Sequence, residues 1–163
     1  MKNKLVDEFY HLKVKQLMNK RIWDTPIIEE NEDIFSVLNI LGARNHIWVV
    51  NNKQEKKLVG AITEHDILVT LAPKSFSPYT FGLPDIRSLQ HETVKTARDI
   101  MSTEVISCTE DEKIIDILQR MTRYKLRRLP VVRNNQIIGE ITLNQLIRKF
   151  YDATQYHSIT EEG

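Results

Sequence analysis

The sequence predicts an α+β fold made of two β-α-β-β-α repeats, packed sheet to sheet with pseudo-two-fold symmetry. The first observation is a duplicated stretch, since LVGAITEHDIL at residues 58–68 returns as IIGEITLNQLI at residues 137–147. The second and third are an amphipathic helix and an apolar strand, each repeated about 80 residues later. Self-similarity at a nearly fixed offset indicates a repeat architecture. One unit of about 50 residues buries too little surface alone, so the two repeats are expected to pack together.

The duplicated stretch is predicted to be a strand that runs directly into a helix. Gly60 corresponds to Gly139 and Thr63 to Thr142, in each case 79 residues later. A glycine within an apolar run, followed by threonine and a helical pattern, is typical of such a strand-to-helix corner. A duplicated corner can place two similar ligand sites around one pseudo-symmetry axis.

A helix with one buried face is predicted ahead of each corner. The apolar residues follow the i, i+3, i+4, i+7 pattern and recur 80 residues later: Ile34, Val37, Leu38 and Leu41, then Ile114, Ile117, Leu118 and Met121. A short apolar strand, Pro26–Ile28, precedes the first of these helices. Thr109 and Glu112 have the spacing of a capping box ahead of the second.

An apolar strand follows each of these helices, at residues 47–50 and again at residues 129–132. An Asn-Asn pair after each strand predicts a turn. Pro130 has no amide hydrogen to donate, so it is expected at the start of its strand or on a sheet edge.

The predicted boundaries are an N-terminal helix with the first repeat at 1–72, an inter-repeat loop at 73–96, a second repeat at 97–150 and a C-terminal extension at 151–163. The loop is too long for an ordinary connection. It contains three prolines and three aromatic residues. It is interpreted either as a cover over an exposed sheet edge or as a segment that faces a partner or acts as a lid.

The composition excludes several classes of protein. Of the 163 residues 41% are apolar and 28% charged, with a net charge of +1, so no global field attracts nucleic acid or acidic lipid. A single cysteine, Cys108, excludes an internal disulfide and fits a reducing cytoplasm. No apolar run is long enough for a membrane span. The charged N-terminus is not that of a signal peptide, so the expected location is cytoplasmic.

This ordered set of features resembles a tandem pair of CBS domains, also called a Bateman module. The resemblance covers about residues 14–149 and rests on KVKQLM and TARDIM ahead of the repeats, the amphipathic helices, RRLPVV and the Gly-x-Ile-Thr corners. It implies a regulatory fold that binds an adenosyl ligand such as AMP, ADP, ATP or S-adenosylmethionine. It also implies back-to-back or head-to-tail dimers.

The first corner supplies the candidate ribose contact. Thr63 and Asp66 have the Gly-x-x-Thr-x-x-Asp spacing that resembles the family's nucleotide corner, and a carboxylate offers two acceptor oxygens to a vicinal diol. Thr63 lies at a helix N-terminus, which favours an anion. The same spacing is also a capping box that needs no ligand. The second corner keeps Thr142 but has Gln145 where the family has aspartate, so one complete site is expected.

The candidate phosphate contacts are Arg127 and Arg128. They immediately precede the strand at 129–132 and resemble the family's basic residues there, and a guanidinium suits phosphate geometry. Asn45 and His46 hold the corresponding places in the first repeat and are weaker phosphate ligands.

Adenine is expected to be held by apolar contacts and backbone edges. The candidates are Ile106 and Ser107, assigned to the first strand of the second repeat, together with Leu129 and Pro130; the alternative for each is core packing. Arg120 and Arg123 are expected on a solvated helix face.

The sequence therefore predicts a stand-alone regulatory module, not an enzyme. It senses an adenosyl ligand in the cleft between the repeats, forms a homodimer and signals to an unidentified partner protein, without a membrane. No catalytic residue, catalytic cofactor or metal ligand is assigned, because the histidines lack metal-ligand spacing and Cys108 is expected to be inert. Trp23 and Trp48 are expected to be packing residues.

Two alternatives from other functional classes stay open. One is a nucleic-acid-binding adaptor that uses the basic run Arg120–Arg133. The near-neutral net charge and the scarcity of stacking aromatic residues in that run both argue against this alternative. The other is a structural dimer with empty sites.

Overall fold

The chain divides into two compact units, and the computed structural model describes residues 2–71 and 94–161. The first unit comprises residues 1–25 and 106–163, and the second comprises residues 26–105. Each unit contains one three-stranded sheet and several helices, which confirms the mixed α+β class. The predicted inter-repeat loop lies almost entirely outside the described residues.

The N-terminal segment is mostly helical, as predicted. It forms helices α1 (Lys2–His11) and α2 (Val14–Leu17), followed by a single 3-10 turn at Ile22–Asp24. Phe9, Val14 and Met18 contribute buried side chains to the core of the first unit.

Within residues 2–71 and 94–161, no helix has both the length and the apolar composition to cross a membrane.

The first repeat lies in the second unit and has the predicted β-α-β-β-α order. Its elements are β1 (Ile27–Glu29), α3 (Ile34–Ala43), β2 (His46–Val50), β3 (Leu58–Thr63) and α4 (Glu64–Leu71). The central strand β2 is parallel to β1 and antiparallel to β3. Ile34 and Val37 of α3 are buried against this sheet, as their spacing predicts. A short helix, α5 (Ala97–Ile100), belongs to the same unit.

The second repeat lies in the first unit and has the same order. Its elements are β4 (Cys108–Thr109), α6 (Ile114–Tyr124), β5 (Arg128–Arg133), β6 (Gln136–Thr142) and α7 (Leu143–Glu161). The central strand β5 is parallel to β4 and antiparallel to β6. The predicted turn of the second repeat is a two-residue hairpin loop, Asn134–Asn135. Both residues have positive φ values, 50° and 65°, and asparagine tolerates this left-handed region.

The segment that precedes each repeat packs onto the other repeat. The amide of Asn19 donates to the carbonyl of Glu140 in β6 (3.0 Å), and that of Ile114 donates to the carbonyl of Leu12 (2.8 Å). The second unit repeats the arrangement, with the Ser102 amide bonded to the carbonyl of Ala61 in β3 (2.9 Å). The sequence did not predict this exchange of leading segments.

The two corner glycines are explained by these crossings. A Cβ on Gly139 would overlap the backbone carbonyl oxygen of Asn19, whereas one on Gly60 would lie 2.6 Å from Sδ of Met101 and 3.0 Å from the backbone carbonyl oxygen of Ser102. The methionine side chain can move, whereas the Asn19 carbonyl is held by the backbone bond of its own residue to Glu140. The repeats therefore differ in how strictly each requires glycine.

This difference gives a stability prediction. We expect Gly139→Ala to lower the free energy of unfolding by about 1–3 kcal/mol, as is typical of overpacking, and Gly60→Ala to lower it by less. Urea unfolding of the two variants beside the parent chain measures both values. Equal losses would show that the Asn19 crossing is as adaptable as the methionine contact.

The predicted capping box of the second helix is wrong. Helix α6 starts at Ile114, after Lys113, and not at the Thr109–Glu112 turn. The first free amide of α6 is satisfied by the Leu12 carbonyl, so no side-chain cap is needed there. The Thr109 amide does donate to Oε2 of Glu112 (2.8 Å), but this bond closes a turn ahead of the helix.

The predicted position of Pro130 is also wrong, because it is the third residue of the central strand β5. Pairing between β4 and β5 begins one residue later, at Cys108 and Val131. In the first repeat the corresponding residue, Trp48, donates its amide to the carbonyl of Pro26 (2.8 Å). The proline therefore shortens the parallel ladder without disrupting the antiparallel one.

The two tryptophans differ. Trp48 is buried, as expected, but Trp23 is 77% exposed, so the expectation that it packs is wrong. Trp23 is the middle residue of the 3-10 turn, in which all three residues are exposed or half-buried. A single turn presents too little surface to cover an indole ring.

Candidate functional site

The first corner forms the capping box that its spacing predicts. Both the amide and the hydroxyl of Thr63 donate to Oδ2 of Asp66, at 2.8 and 3.2 Å. Asp66 is half-buried and Thr63 is exposed. Since both bonds end on one carboxylate oxygen, the cap leaves Oδ1 for another donor. Capping and ligand binding are therefore compatible at this residue.

The second corner has a similar cap, which shares the bond from the threonine backbone amide but uses a side-chain amide in place of the carboxylate. The backbone amide of Thr142 donates to the side-chain oxygen Oε1 of Gln145 (2.8 Å). The backbone amide of Gln145 in turn donates to Oγ1 of Thr142 (3.2 Å). The distance from the threonine amide to its acceptor is thus the same in both corners. Glutamine is therefore sufficient for the structural role of this position.

Arg127 and Arg128 lie beside the second corner. The Arg127 carbonyl accepts a hydrogen bond from the Leu143 amide at the start of α7 (2.8 Å), and Arg128 is opposite Thr142 in the β5–β6 ladder. The Arg127 side chain is exposed and that of Arg128 is half-buried. The structure thus places both predicted phosphate contacts at the N-terminus of a helix, where an anion is favoured.

The predicted adenine contacts are split between surface and core. Ile106 and Ser107 are half-buried and precede β4, so their assignment to that strand is wrong. Their neighbour Pro130 cannot donate the bond that Trp48 makes in the first repeat, so the Ile106 carbonyl has no equivalent partner from β5. Pro130 is buried, and Leu129 is 0% exposed within the core, so the Leu129 side chain packs inside the unit.

The expectation that Arg120 lies on a solvated helix face is wrong. Its Nη2 donates to Oε1 of Glu112 (2.6 Å), while Nη1 donates to Oε2 of Glu112 (3.0 Å) and to the carbonyl of Ser107 (2.9 Å). The two side chains are only 26% and 28% exposed. The pattern of the sequence did not reveal this pair, because Glu112 lies outside the helix that carries Arg120.

The Glu112 carboxylate gives a prediction about acid stability. The Arg120 hydrogen bond, and to a lesser degree the Thr109 amide, hold the pKa of Glu112 below its ordinary value of 4.5, against the effect of burial. A lowered native pKa contributes stability above pH 4.5, and this stability is lost as the pH falls through the lowered value. We expect Glu112→Gln to be less stable than the parent at neutral pH, with a difference that shrinks below about pH 4.5.

Urea unfolding between pH 3 and 7 measures that difference. Asp111→Asn is the matched control, because Asp111 is the neighbouring acid and its 3.2 Å pair with Lys15 is exposed. A Glu112→Gln difference that stays constant with pH would show that Arg120 does not stabilise the ionised carboxyl.

Cys108 is buried, and two arginines of the basic run are ion-paired. Cys108 is 2% exposed, and burial raises the pKa of its thiol to about 12, as expected for an unreactive cysteine. Two cations of the basic run are ion-paired, Arg120 with Glu112 and Arg133 with Glu110 (2.6 Å each). Among residues 2–71 and 94–161, no three His, Cys, Asp or Glu side chains are grouped to hold a metal ion.

The structure therefore places the nine candidate residues in two groups. The first unit holds seven of them, Ile106, Ser107, Arg127, Arg128, Leu129, Pro130 and Thr142, and the second unit holds Thr63 and Asp66. Within the first unit, the β4–β5 and β5–β6 ladders bring its members onto neighbouring strands.

The sequence matches the CBS domain family over residues 14–72 and 97–152. An uncharacterized protein of Methanopyrus kandleri, MK0525, is 31% identical over 103 residues, which are 63% of this chain and 44% of that protein. Homoserine O-acetyltransferase of Methanococcus vannielii is 29% identical over 145 residues, 87% of this chain but 26% of that enzyme. The chain thus spans less than half the length of these two relatives.

Solved structures of CBS proteins share the fold. The CBS domain pair of protein MJ0100, in complex with 5′-methylthioadenosine and S-adenosyl-L-methionine, is 25% identical with a TM-score of 0.61; the match covers 86% of this chain and 97% of that one. CBSX2 in complex with AMP is 19% identical with a TM-score of 0.69, over 87% and 98% of the two chains.

Proposed function

The chain belongs to the CBS domain family, with two CBS domains in tandem, and we propose on that basis that it is a regulatory module that binds an adenosyl ligand. The similarity to the MJ0100 domain pair, whose structure contains S-adenosyl-L-methionine, supports this class of ligand. AMP in the CBSX2 complex belongs to the same class. Ligand binding would favour one conformation of the module, and a partner protein would respond to that difference.

The observation that carries the proposal is the backbone edge left open by Pro130. In the first repeat the Trp48 amide occupies the carbonyl of Pro26 (2.8 Å), whereas proline leaves the equivalent carbonyl, that of Ile106, without this donor. The exocyclic amine of adenine is a donor of the required kind. Ile106 and Pro130 then provide apolar surface for the ring.

The polar contacts follow from the two corners. Arg127 and Arg128 are proposed to bind phosphate beside the start of α7, where charge-assisted bonds to guanidinium are strong. Asp66 is proposed to bind the ribose diol through Oδ1, since Oδ2 carries the cap. Gln145 in the second corner is a poorer partner for a diol than a carboxylate, and Asn45 and His46 in the first repeat are weaker phosphate ligands than arginines.

A thermal-shift series with AMP, ADP, ATP and S-adenosylmethionine tests this function. A ligand of the native state raises the melting temperature by mass action, by an amount that grows with its concentration above Kd. We expect at least one of the four to do so, and calorimetric titration of that compound gives the stoichiometry. No shift from any of them would favour the structural dimer with empty sites.

The homodimer also remains a proposal. It is supported by apolar side chains on the surface of α7, of which Ile147, Phe150 and Tyr151 are 57%, 40% and 60% exposed. Phe150 is partly engaged within the chain, since its ring lies 5.3 Å from that of Phe9. Light scattering at micromolar concentration is expected to give twice the chain mass, and a monomer mass would refute the dimer.

A further inference from the structure

We propose that Arg120 is a positioning residue for base recognition. It holds the Ser107 carbonyl against α6, and the preceding carbonyl, that of Ile106, is thereby oriented for the exocyclic amine of adenine. This inference rests on the proposed function, because it assumes that the second repeat binds the base.

The geometry of the Arg120 side chain supports a positioning role. One guanidinium nitrogen, Nη1, is shared between Oε2 of Glu112 (3.0 Å) and the carbonyl of Ser107 (2.9 Å). Glu112 is itself held by the Thr109 amide (2.8 Å). The network therefore ties both ends of the segment 107–109 to the middle of helix α6. A planar guanidinium can bridge two acceptors in this way, whereas an ammonium cannot reproduce the geometry.

The first repeat shows why such an anchor is needed. There the corresponding segment is fixed by the ladder, through the bond from the Trp48 amide to the Pro26 carbonyl. The residue at the position of Arg120 is Ile40, which packs against the core. The second repeat lacks this ladder bond, because Pro130 has no amide hydrogen, and it carries Arg120 instead. The guanidinium binds the carbonyl of Ser107, one residue further along the chain, and does not engage the Ile106 carbonyl.

This arrangement predicts discrimination between AMP and IMP. Adenine presents an amine donor at C6, whereas hypoxanthine presents a carbonyl acceptor, which cannot bond to the Ile106 carbonyl. The ribose and phosphate of the two nucleotides are identical. The ratio of their dissociation constants therefore reports the base contact alone, and any effect on overall stability or on phosphate binding cancels from it.

The experiment is calorimetric titration of AMP and IMP into the parent, Arg120→Met and Arg123→Met. We expect the parent to prefer AMP, and Arg120→Met to reduce that preference by about three- to tenfold, the range of one hydrogen bond, while IMP binds as before. Arg123→Met is the matched control. It lies one turn further along α6, with its guanidinium 5.8 Å from the centre of the Tyr124 ring, and should retain the parent ratio.

A second variant covers the case in which Arg120→Met fails to fold. Arg120→Lys keeps a positive charge beside Glu112 but lacks the planar bridge, and it should lose part of the preference for AMP. Retention of the full AMP-to-IMP ratio by either folded variant would overturn the inference. So would a parent chain that binds both nucleotides equally. A parent that binds neither nucleotide would refute the base site at Ile106. It would refute the proposed function as well only if ADP, ATP and S-adenosylmethionine also fail to shift the melting temperature.

Discussion

Replacing Asp66 with glutamine is expected to weaken binding of an adenosyl ligand by about 10- to 150-fold, with little change in the stability of the fold. The loss corresponds to one charge-assisted hydrogen bond of about 1.5–3 kcal/mol. The amide removes one carboxylate oxygen and presents a donor where the ribose hydroxyl also donates. Titration calorimetry gives the affinity, and urea unfolding gives the stability.

The second corner is an internal control for this substitution. Gln145 accepts the amide of Thr142 at 2.8 Å, the distance that separates the Thr63 amide from Asp66. The cap should therefore survive in Asp66→Gln, and any loss of affinity is attributable to the ligand contact. Unchanged affinity would show that Asp66 is a helix cap alone.

The double substitution of Arg127 and Arg128 by alanine is expected to weaken AMP strongly while leaving adenosine nearly unaffected. Each charge-assisted contact is worth about 1.5–3 kcal/mol, so even one lost contact lowers AMP affinity by about tenfold or more. Adenosine has no phosphate and should lose little. The two ligands are titrated into the same variant, so each serves as the reference for the other.

Single variants separate binding from folding at this pair. The Arg127 side chain is exposed, so Arg127→Ala should fold like the parent, whereas the half-buried Arg128 also takes part in interactions within the chain. Arg123→Ala on α6 controls for loss of a positive charge. Equal losses for AMP and adenosine would indicate that the arginines support the fold and do not contact phosphate.

The repeat architecture could be predicted because it depends on local spacing. Ile114, Ile117 and Met121 are buried where the helical period places them, and the Asn134–Asn135 hairpin forms where the turn residues stand. Both corners were predicted correctly as strand-to-helix junctions. Such features are determined by residues within a few positions of one another, so a single sequence reveals them.

The errors arose where distant segments meet through the backbone. The bonds from Asn19 to Glu140 and from Ile114 to Leu12 join backbone amides to backbone carbonyls. Every residue except proline has both groups, so the side-chain sequence does not indicate which ones pair. The Arg120–Glu112 pair was missed because periodicity within α6 describes only that helix. The exposure of Trp23 was missed because apolar character alone does not specify burial.

The exchange of leading segments has a consequence for the order of folding during synthesis. Residues 26–105 form a contiguous unit, so all of its strands have left the ribosome before the second repeat is complete. The other unit joins residues separated by roughly 120 positions, as in the Asn19–Glu140 bond, and loop closure over such distances is slow. Its N-terminal helices must wait for the second repeat, with Phe9, Val14 and Met18 uncovered until it is synthesised. The later unit is thus the one exposed to aggregation and to chaperones.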